Sequence, residues 1–121
     1  MKLRKARIVI QSAASFKEDI KKALKGELKS IQRVDDIFFV NAESLSKIIT
    51  SARLAILAAL VKQKPKSIYE LAKMIGRDFK NVHTDVKILA DLGLIDLKPS
   101  GNRSALKPVA LFSGLEFDLA A

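Results

Sequence analysis

Three successive helix-like segments between Thr50 and Gly93 restrict the fold of this chain more than any other feature. Apolar residues recur there at spacings of three and four, which is the period of a helix with one buried face. Pro65 separates the first segment from the second, because a proline disfavours the helical conformation of the residue before it. Gly76 ends the second, since glycine readily adopts the left-handed conformation common after helix ends. The pattern predicts three short helices with tight connections.

The predicted helices also carry signals for their starts and their buried sides. Ser67 and Glu70 form a capping box at the second helix, and Asp78 caps the third. The first helix has apolar residues on two faces, so we expect it to be buried on most sides. The expected core residues are Leu54, Ile56, Leu57, Ala58, Leu60 and Val61 in the first helix, Ile68, Leu71, Ala72 and Ile75 in the second, and Phe79, Val82, Val86 and Leu89 in the third.

The segment behind the third helix predicts a β-hairpin and one further strand. Leu94–Lys98 is the predicted first strand, residues 99–104 (PSGNRS) the turn, and Ala105–Phe112 the returning strand. Pro108 lies inside the returning strand and has no N–H to donate, so it indicates an edge strand. Apolar and acidic residues alternate over Leu115–Leu119, which is typical of a half-buried strand.

The first 49 residues predict a smaller set of elements in the order strand, helix, strand, helix. These are strands at Leu3–Ile10 and Ile37–Val40, a helix from Phe16 to Gly26 with a capping box of Ser15 and Glu18, and a short helix capped by Asn41. We therefore predict an α+β chain with one unit at residues 1–49 and another at residues 50–121.

The composition excludes several classes of site. The chain has 121 residues and no cysteine, which rules out disulfides, thiolate zinc ligation and a cysteine nucleophile. It has no apolar run of about 18 residues, so we expect a cytoplasmic protein outside the membrane. Its carboxylates are scattered or cap helices, and it has no glycine-rich phosphate loop, so we expect neither an enzyme nor a cofactor. His83 is its only histidine, so no metal site is expected.

A net charge of +9 indicates a polyanionic partner, with nucleic acid as the first candidate and acidic protein or a membrane surface as the second. Residues 1–34 hold ten Lys and Arg against three Asp and Glu, and residues 62–107 hold ten against five. The excess therefore falls in two separate segments. The basic helix in the first of them is either a solvated face, an extension of a DNA contact or a contact for an acidic partner.

The third predicted helix places polar groups suited to base recognition opposite its apolar face. At about 100° per residue, Lys80, Thr84 and Lys87 cluster on one side, with Asn81 beside them. Lysine suits guanine O6 and N7, asparagine suits adenine, and threonine suits several base edges or the thymine methyl. We predict that these four residues contact DNA bases, although a solvated helix face produces the same pattern.

A second group is predicted to contact the DNA backbone, partly from the hairpin. Its members are Lys66, Ser67, Tyr69, Arg77, His83, Lys98, Asn102, Arg103, Ser104 and Lys107. Turn geometry accounts for Gly101 and Asn102 but not for Arg103, whose natural use at such a tip is to enter the minor groove or bind a phosphate. Ser67 already has a structural role as a cap. His83 lies at the border of the two helix faces, where packing or a phosphate contact is the ordinary role.

Three helices followed by a hairpin with a basic tip form the order of a winged helix-turn-helix. The stretches RLAILAAL (53–60), SIYELAKMIGRDFKNVHTDVKILADLGLI (67–95) and LKPSGNRSALKP (97–108) resemble MarR-like winged helix-turn-helix transcriptional regulators. The resemblance implies sequence-specific binding of double-stranded DNA, with a recognition helix at 79–92 in the major groove and a wing at 98–107 on the backbone or minor groove. The strand-helix start also makes the chain similar to small prokaryotic DNA-binding proteins, some of them proposed antitoxins encoded beside a toxin gene.

A homodimer is expected, because one helix and one wing read few base pairs and two-fold dimers bind paired half-sites. The candidate contacts are the strand Ile37–Val40, the short helix after it and the strand Leu115–Leu119. The alternative function is a protein-interaction module, such as an antitoxin that binds a cognate toxin and autoregulates its operon. Its contact surface would be the basic N-terminal segment or the acidic C-terminal tail.

Overall fold

The fold is a mixture of helices and strands, as predicted. The computed structural model describes residues 3–26, 36–101 and 105–119, and these ranges contain five helices and five strands. In chain order the elements are β1 (Lys5–Ile10), α1 (Ala13–Leu24), β2 (Ile37–Phe39), α2 (Ala42–Ile48), α3 (Ser51–Gln63), α4 (Ile68–Ile75), α5 (Phe79–Asp91), β3 (Ile95–Pro99), β4 (Leu106–Ala110) and β5 (Gly114–Asp118). The type and order of the predicted elements are confirmed.

The chain divides into two compact units. We call Met1–Lys5 with Ile49–Gly114 the helical unit, and Ala6–Ile48 with Leu115–Ala121 the sheet unit. The sequence placed residues 115–119 with the helices, whereas β5 lies beside β1 in a three-stranded sheet of order β2-β1-β5. A half-buried strand needs partners for its backbone N–H and C=O groups, and a partner strand distant in sequence leaves no local signal.

The core of the helical unit takes one face from α3. This helix buries Ile56, Ala59 and Leu60, which follow the helical spacing of three and four. Leu54 is 44% exposed and Ala58 is also exposed, so the expectation that α3 is buried on most sides is wrong. A helix at the surface packs on one side only. When a helix has two apolar faces, the sequence alone does not show which face packs against the neighbouring elements.

The buried faces of α4 and α5 follow the prediction, with one main exception. The residues buried on these helices as expected are Ile68, Leu71, Ala72, Val82, Val86 and Leu89. Phe79 was expected to face inward, but it is 44% exposed. It is the first residue of α5, at the end of the apolar stripe, and its ring contacts Tyr69 at a centroid distance of 6.2 Å.

Strands β3 and β4 form the predicted antiparallel hairpin. Leu97 lies opposite Pro108, and Lys98 lies opposite Lys107. Pro108 has no N–H, and its position is tolerated because the sheet has two strands, so that β4 pairs on one side only. The hairpin closes the helical unit, with β4 against α3 and β3 against α5.

Strand β1 is the central strand of the sheet unit. It pairs in parallel with β2, with Ile8 opposite Ile37 and Ile10 opposite Phe39. Parallel neighbours need a long connection, which here contains α1. The phenyl rings of Phe16 on α1 and Phe38 on β2 lie with their centroids 5.4 Å apart.

Two polar networks hold the sheet unit together. Arg7 donates from Nε and Nη2 to the carboxylate of Asp36, and from Nη1 to Asp118 at 2.8 Å. The hydrogen bond to Asp36 raises the pKa of Arg7 above its ordinary value, because the bond favours the charged guanidinium. Gln11 is buried and donates from Nε2 to Asp19 at 2.6 Å.

The start of α1 differs from the prediction. The hydroxyl of Ser12 accepts the N–H of Ser15 at 3.1 Å, so Ser12 is the cap and the predicted capping box of Ser15 and Glu18 is wrong. Both serines are able to cap, and the first does so because the helix begins soon after β1 ends. Asn41 caps α2 as predicted, with its side-chain oxygen accepting the N–H of Ser44 at 2.8 Å.

Candidate nucleic-acid interface

Helix α5 separates apolar from polar side chains. Val82, Val86 and Leu89 are fully buried. The four predicted base contacts, Lys80, Asn81, Thr84 and Lys87, are all exposed. The structure therefore brings the predicted base-contacting residues together on the solvent side of one helix.

Two of these residues have part of their hydrogen-bonding capacity engaged inside the helix. The hydroxyl of Thr84 donates to the carbonyl of Lys80 at 3.1 Å. Its oxygen retains lone pairs, and its methyl group is not involved in the bond. The backbone N–H of Asn81 donates to the capping carboxylate of Asp78 at 3.2 Å, which leaves the exposed side-chain amide as the group available to a ligand.

Asp85 is a buried carboxylate on the inner side of α5 that sequence reasoning missed. Its Oδ1 accepts from Nε of Arg53 at 3.1 Å, and its Oδ2 accepts from Nη2 of Arg77 at 2.9 Å. Its position carried a signal, because Asp85 follows Val82 by three residues and so belongs to the apolar face. A carboxylate on such a face requires cationic partners.

The ion pairs of Asp85 change the electrostatics of the interface. Arg77, a predicted backbone contact, has Nη2 engaged by Asp85, and its Nη1 is buried without a hydrogen-bond partner. The side chain of Arg77 is 32% exposed, so part of it still reaches solvent. Because Arg53 and Arg77 neutralise Asp85 inside the unit, its negative charge does not lower the positive potential of the lysines on the outer face of α5.

The start of α4 presents a second group of predicted contacts. Ser67 Oγ accepts the N–H of Glu70 at 3.0 Å, which confirms the cap. The carboxylate of Glu70 accepts the N–H of Lys66 at 3.4 Å. A capping box would instead pair it with the N–H of the cap residue, Ser67. Lys66 is exposed and Ser67 is partly exposed, while Pro65 between α3 and α4 is fully buried and fixes the connection.

An aromatic cluster of Tyr69, Phe79 and His83 joins the start of α4 to the start of α5. The rings of Tyr69 and Phe79 lie 6.2 Å apart, and those of Phe79 and His83 lie 5.8 Å apart. The ammonium of Lys73 lies 4.8 Å from the centre of the Tyr69 ring. The cluster lines an open cleft of about 600 Å³ that Lys80 also borders.

The hairpin contributes two lysines. Lys98 and Lys107 lie directly opposite each other in the β3–β4 ladder and both are exposed. Like charges in this position repel each other, at a cost within about 1 kcal/mol, and a bound polyanion would relieve that cost. The remaining predicted wing residues, Asn102, Arg103 and Ser104, lie outside the described residues.

Two other kinds of site are absent from residues 3–26, 36–101 and 105–119. No three His, Asp or Glu side chains in these ranges form a cluster that would hold a metal ion. No single helix in the same ranges is long and apolar enough to cross a membrane. One bent pair, Ala42–Ile48 followed by Ser51–Gln63, reaches that length and composition when both helices are counted together.

Comparison with known proteins assigns a family. Residues 48–117, more than half of the chain, match the HVO_A0114 family, and the chain therefore belongs to it. The matched region begins just before α3 and ends within β5, so it includes α5 and the whole hairpin. No curated protein matches the chain.

Proposed function

We propose that this member of the HVO_A0114 family binds double-stranded DNA in a sequence-specific manner as a transcriptional regulator. In this proposal the helical unit is a winged helix-turn-helix. Residues 79–92 form the recognition helix in the major groove, and residues 98–107 form a wing on the backbone or minor groove.

The observation that carries the proposal is the exposed polar face of α5. The four side chains Lys80, Asn81, Thr84 and Lys87 lie there, opposite a fully apolar row and a neutralised Asp85. Lysine donates to guanine O6 and N7, and the asparagine amide donates to and accepts from adenine. The same face therefore supplies donors, an acceptor and positive charge, which are the features that base recognition in the major groove requires.

The start of α4 supports the proposal from a second helix. The exposed Lys66 and the partly exposed cap Ser67 stand at the helix N-terminus, where the peptide dipoles favour an anion. The carboxylate of Glu70 already accepts the N–H of Lys66 there, so the group left for a phosphate is the Lys66 ammonium. A phosphate at this position would orient the protein on the duplex without reading sequence. Tyr69, which is 59% exposed, would donate its hydroxyl to the same strand.

In the proposal, the hairpin supplies the contacts to the DNA backbone or minor groove beside the recognition helix. Lys98 and Lys107 lie directly opposite each other on adjacent strands, so their side chains leave the same face of the hairpin. Phosphate contacts of this kind contribute affinity that falls as salt rises. In the proposal, Arg103 at the turn inserts into the minor groove or binds a phosphate.

Four substitutions test the proposal. Lys80→Ala and Arg103→Ala are expected to weaken binding to every duplex, and Arg103→Ala is expected to reduce its salt dependence. Asn81→Ala and Thr84→Ala are expected to lower the preference for the correct sequence by about 1–3 kcal/mol. Fluorescence anisotropy with the duplex preceding the gene of this protein and with a scrambled duplex measures both effects.

A matched control removes the same charge elsewhere. Lys47 on α2 is exposed and belongs to the sheet unit, so Lys47→Ala is expected to leave both affinities within about twofold of wild type, as one screened charge predicts. Wild-type binding by all four variants would refute the proposed contacts of α5 and the wing. An equal loss of DNA affinity in Lys47→Ala and Lys80→Ala would mean that the interaction depends on net charge alone.

A second candidate function is a protein-interaction module, such as an antitoxin that captures a toxin. The observation that favours it is a set of exposed apolar side chains in the sheet unit, namely Leu24, Val40, Phe117 and Leu119. The same residues are candidates for the contact of a homodimer. Sedimentation at tens of micromolar distinguishes a dimer from a monomer, and substitutions in residues 1–49 that abolish partner capture without changing DNA affinity would favour the interaction module.

A further inference from the structure

Two large aromatic rings lie at the surface of the helical unit, where the sequence predicted one of them to be buried. Phe79 is 44% exposed and Tyr69 is 59% exposed. The core beneath α5 is already filled by Val82, Val86 and Leu89. The ring of Phe79 therefore remains outside the core, and its exposed apolar area is available to a ligand.

The position of Phe79 restricts what that ligand is. Phe79 is the first residue of α5 and directly precedes Lys80. The cleft beside it is also lined by Ser67 and Thr84, which the proposed function assigns to a phosphate and a base edge. Its remaining lining residues are Ile68, Ala105 and Leu106. The apolar surface of Phe79 thus lies beside polar and cationic groups that suit the edge of a nucleic acid duplex. A purely apolar partner surface would leave these polar groups without partners.

The arrangement of the rings argues against stacking on an unpaired base. The rings of Tyr69 and Phe79 are tilted by 54°, and those of Phe79 and His83 by 42°, so they form no flat platform. One side of the Tyr69 ring is occupied by the ammonium of Lys73. Stacking recognition of single strands uses open ring faces. A small apolar group that packs against the exposed part of the Phe79 ring fits the arrangement better.

We propose that Phe79, held in place by Tyr69 and His83, contacts the C5-methyl group of a thymine in the major groove. This inference rests on the proposed function and names one base that the recognition helix reads. The thymine methyl is the only apolar group that the base edges display in the major groove, and phenylalanine is among the side chains that recognise it. Phe79 is then a specificity-determining residue beside the polar contacts of Lys80 and Asn81.

Replacement of thymine by deoxyuridine tests the inference, because it removes the methyl group and preserves base pairing. The duplex that precedes the gene of this protein is amplified once with thymidine triphosphate and once with deoxyuridine triphosphate. Wild-type protein is expected to bind the deoxyuridine duplex about fourfold more weakly for each methyl contacted, which corresponds to about 0.8 kcal/mol for one buried carbon.

Three variants show whether Phe79 is responsible. Phe79→Ala is expected to bind the thymine duplex as weakly as wild type binds the deoxyuridine duplex, with equal affinity for the two. Phe79→Leu keeps an apolar side chain and is expected to retain part of the preference. Lys80→Ala is the matched control: both affinities are expected to fall by the same factor and the preference to stay. Melting curves establish that each variant is folded.

The outcomes separate this inference from the proposed function. Equal wild-type affinities for the thymine and deoxyuridine duplexes would overturn the role of Phe79 and leave DNA binding intact. A preference that persists in folded Phe79→Ala would assign the methyl contact to another residue and would also overturn the inference. Failure of wild-type protein to bind the thymine duplex would refute both proposals.

Discussion

The two units of this chain bury their apolar side chains in different ways. In the helical unit, α3, α4 and α5 each contribute buried residues to one core. In the sheet unit, neither α1 nor α2 buries a residue, and the deepest residues are Ala6, Ile8 and Val9 on the central strand. The helical unit therefore has a core of its own, whereas the helices of the sheet unit remain partly covered.

Under the proposed function, this difference corresponds to a division of roles between the two units. The helical unit packs its three helices around a buried core and presents polar and cationic groups on the outer face of α5, although Leu54 and Phe79 remain 44% exposed. Under the proposed function that outer face contacts a wet, charged duplex. The sheet unit leaves Leu24 83% exposed and Leu119 76% exposed, which suits contact with protein. The comparison makes quantitative predictions, in which a residue of the helical unit and a matched residue elsewhere in the chain are changed in the same way.

The largest expected difference concerns leucine. Leu89→Ala removes a side chain that is fully buried in the helical unit and is expected to lower the free energy of unfolding by about 3 kcal/mol, since it leaves a cavity. Leu24→Ala changes an exposed leucine of α1, and its expected effect is within about 0.5 kcal/mol. Urea denaturation followed by circular dichroism measures both. Similar losses in the two variants would remove the distinction between the units.

A smaller effect is expected from the buried carboxylate of α5. Asp85→Asn removes the charge that holds Arg53 and Arg77, and the expected loss is about 2–3 kcal/mol, below the value for a fully buried pair because Arg77 is partly exposed. Asp91→Asn makes the same change at an exposed position of the same helix and is expected to cost less than about 0.5 kcal/mol. Equal stability of Asp85→Asn and wild type, measured by urea denaturation, would mean that the two ion pairs do not stabilise the unit.

The smallest expected difference is between two helix caps. Ser67→Ala is expected to cost about 1 kcal/mol, because α4 is part of the core and loses the bond to the N–H of Glu70. Ser12→Ala removes the equivalent bond from α1, which buries no residue, so about half that cost or less is expected. Thermal unfolding of wild type and the two variants measures the loss of stability in each. A larger loss for Ser12→Ala would show that α1 is more important for folding than its burial indicates.

Local patterns predicted much of this fold because the relevant physics is local. Ser67, Asp78 and Asn41 were identified as caps from residue type and spacing alone, since a cap bonds to an N–H only a few residues away. Pro65 and Gly76 located the ends of α3 and α4 for the same reason. The hairpin followed from the turn residues between two short apolar runs.

Features that depend on distant residues were not predictable in the same way. The choice between the two apolar faces of α3 is made by the elements that pack on it, and the partner of β5 lies more than 100 residues earlier in β1. The exposure of Lys80, Asn81, Thr84 and Lys87 on α5 was predicted correctly, because helix geometry fixes which residues share a side. The ion pairs of Asp85 and the surface position of Phe79 required the tertiary structure, although Asp85 signalled its burial by its place on the apolar face.

The most direct test of the central proposal is a titration of the purified full chain into the duplex that precedes its own gene and into a scrambled duplex, at several salt concentrations. The proposal predicts tighter binding to its own sequence and a preference that persists near physiological salt, because base contacts add to the salt-dependent phosphate contacts. Equal affinities that fall together as salt rises would contradict it and would leave the charge of +9 as the only basis of the interaction.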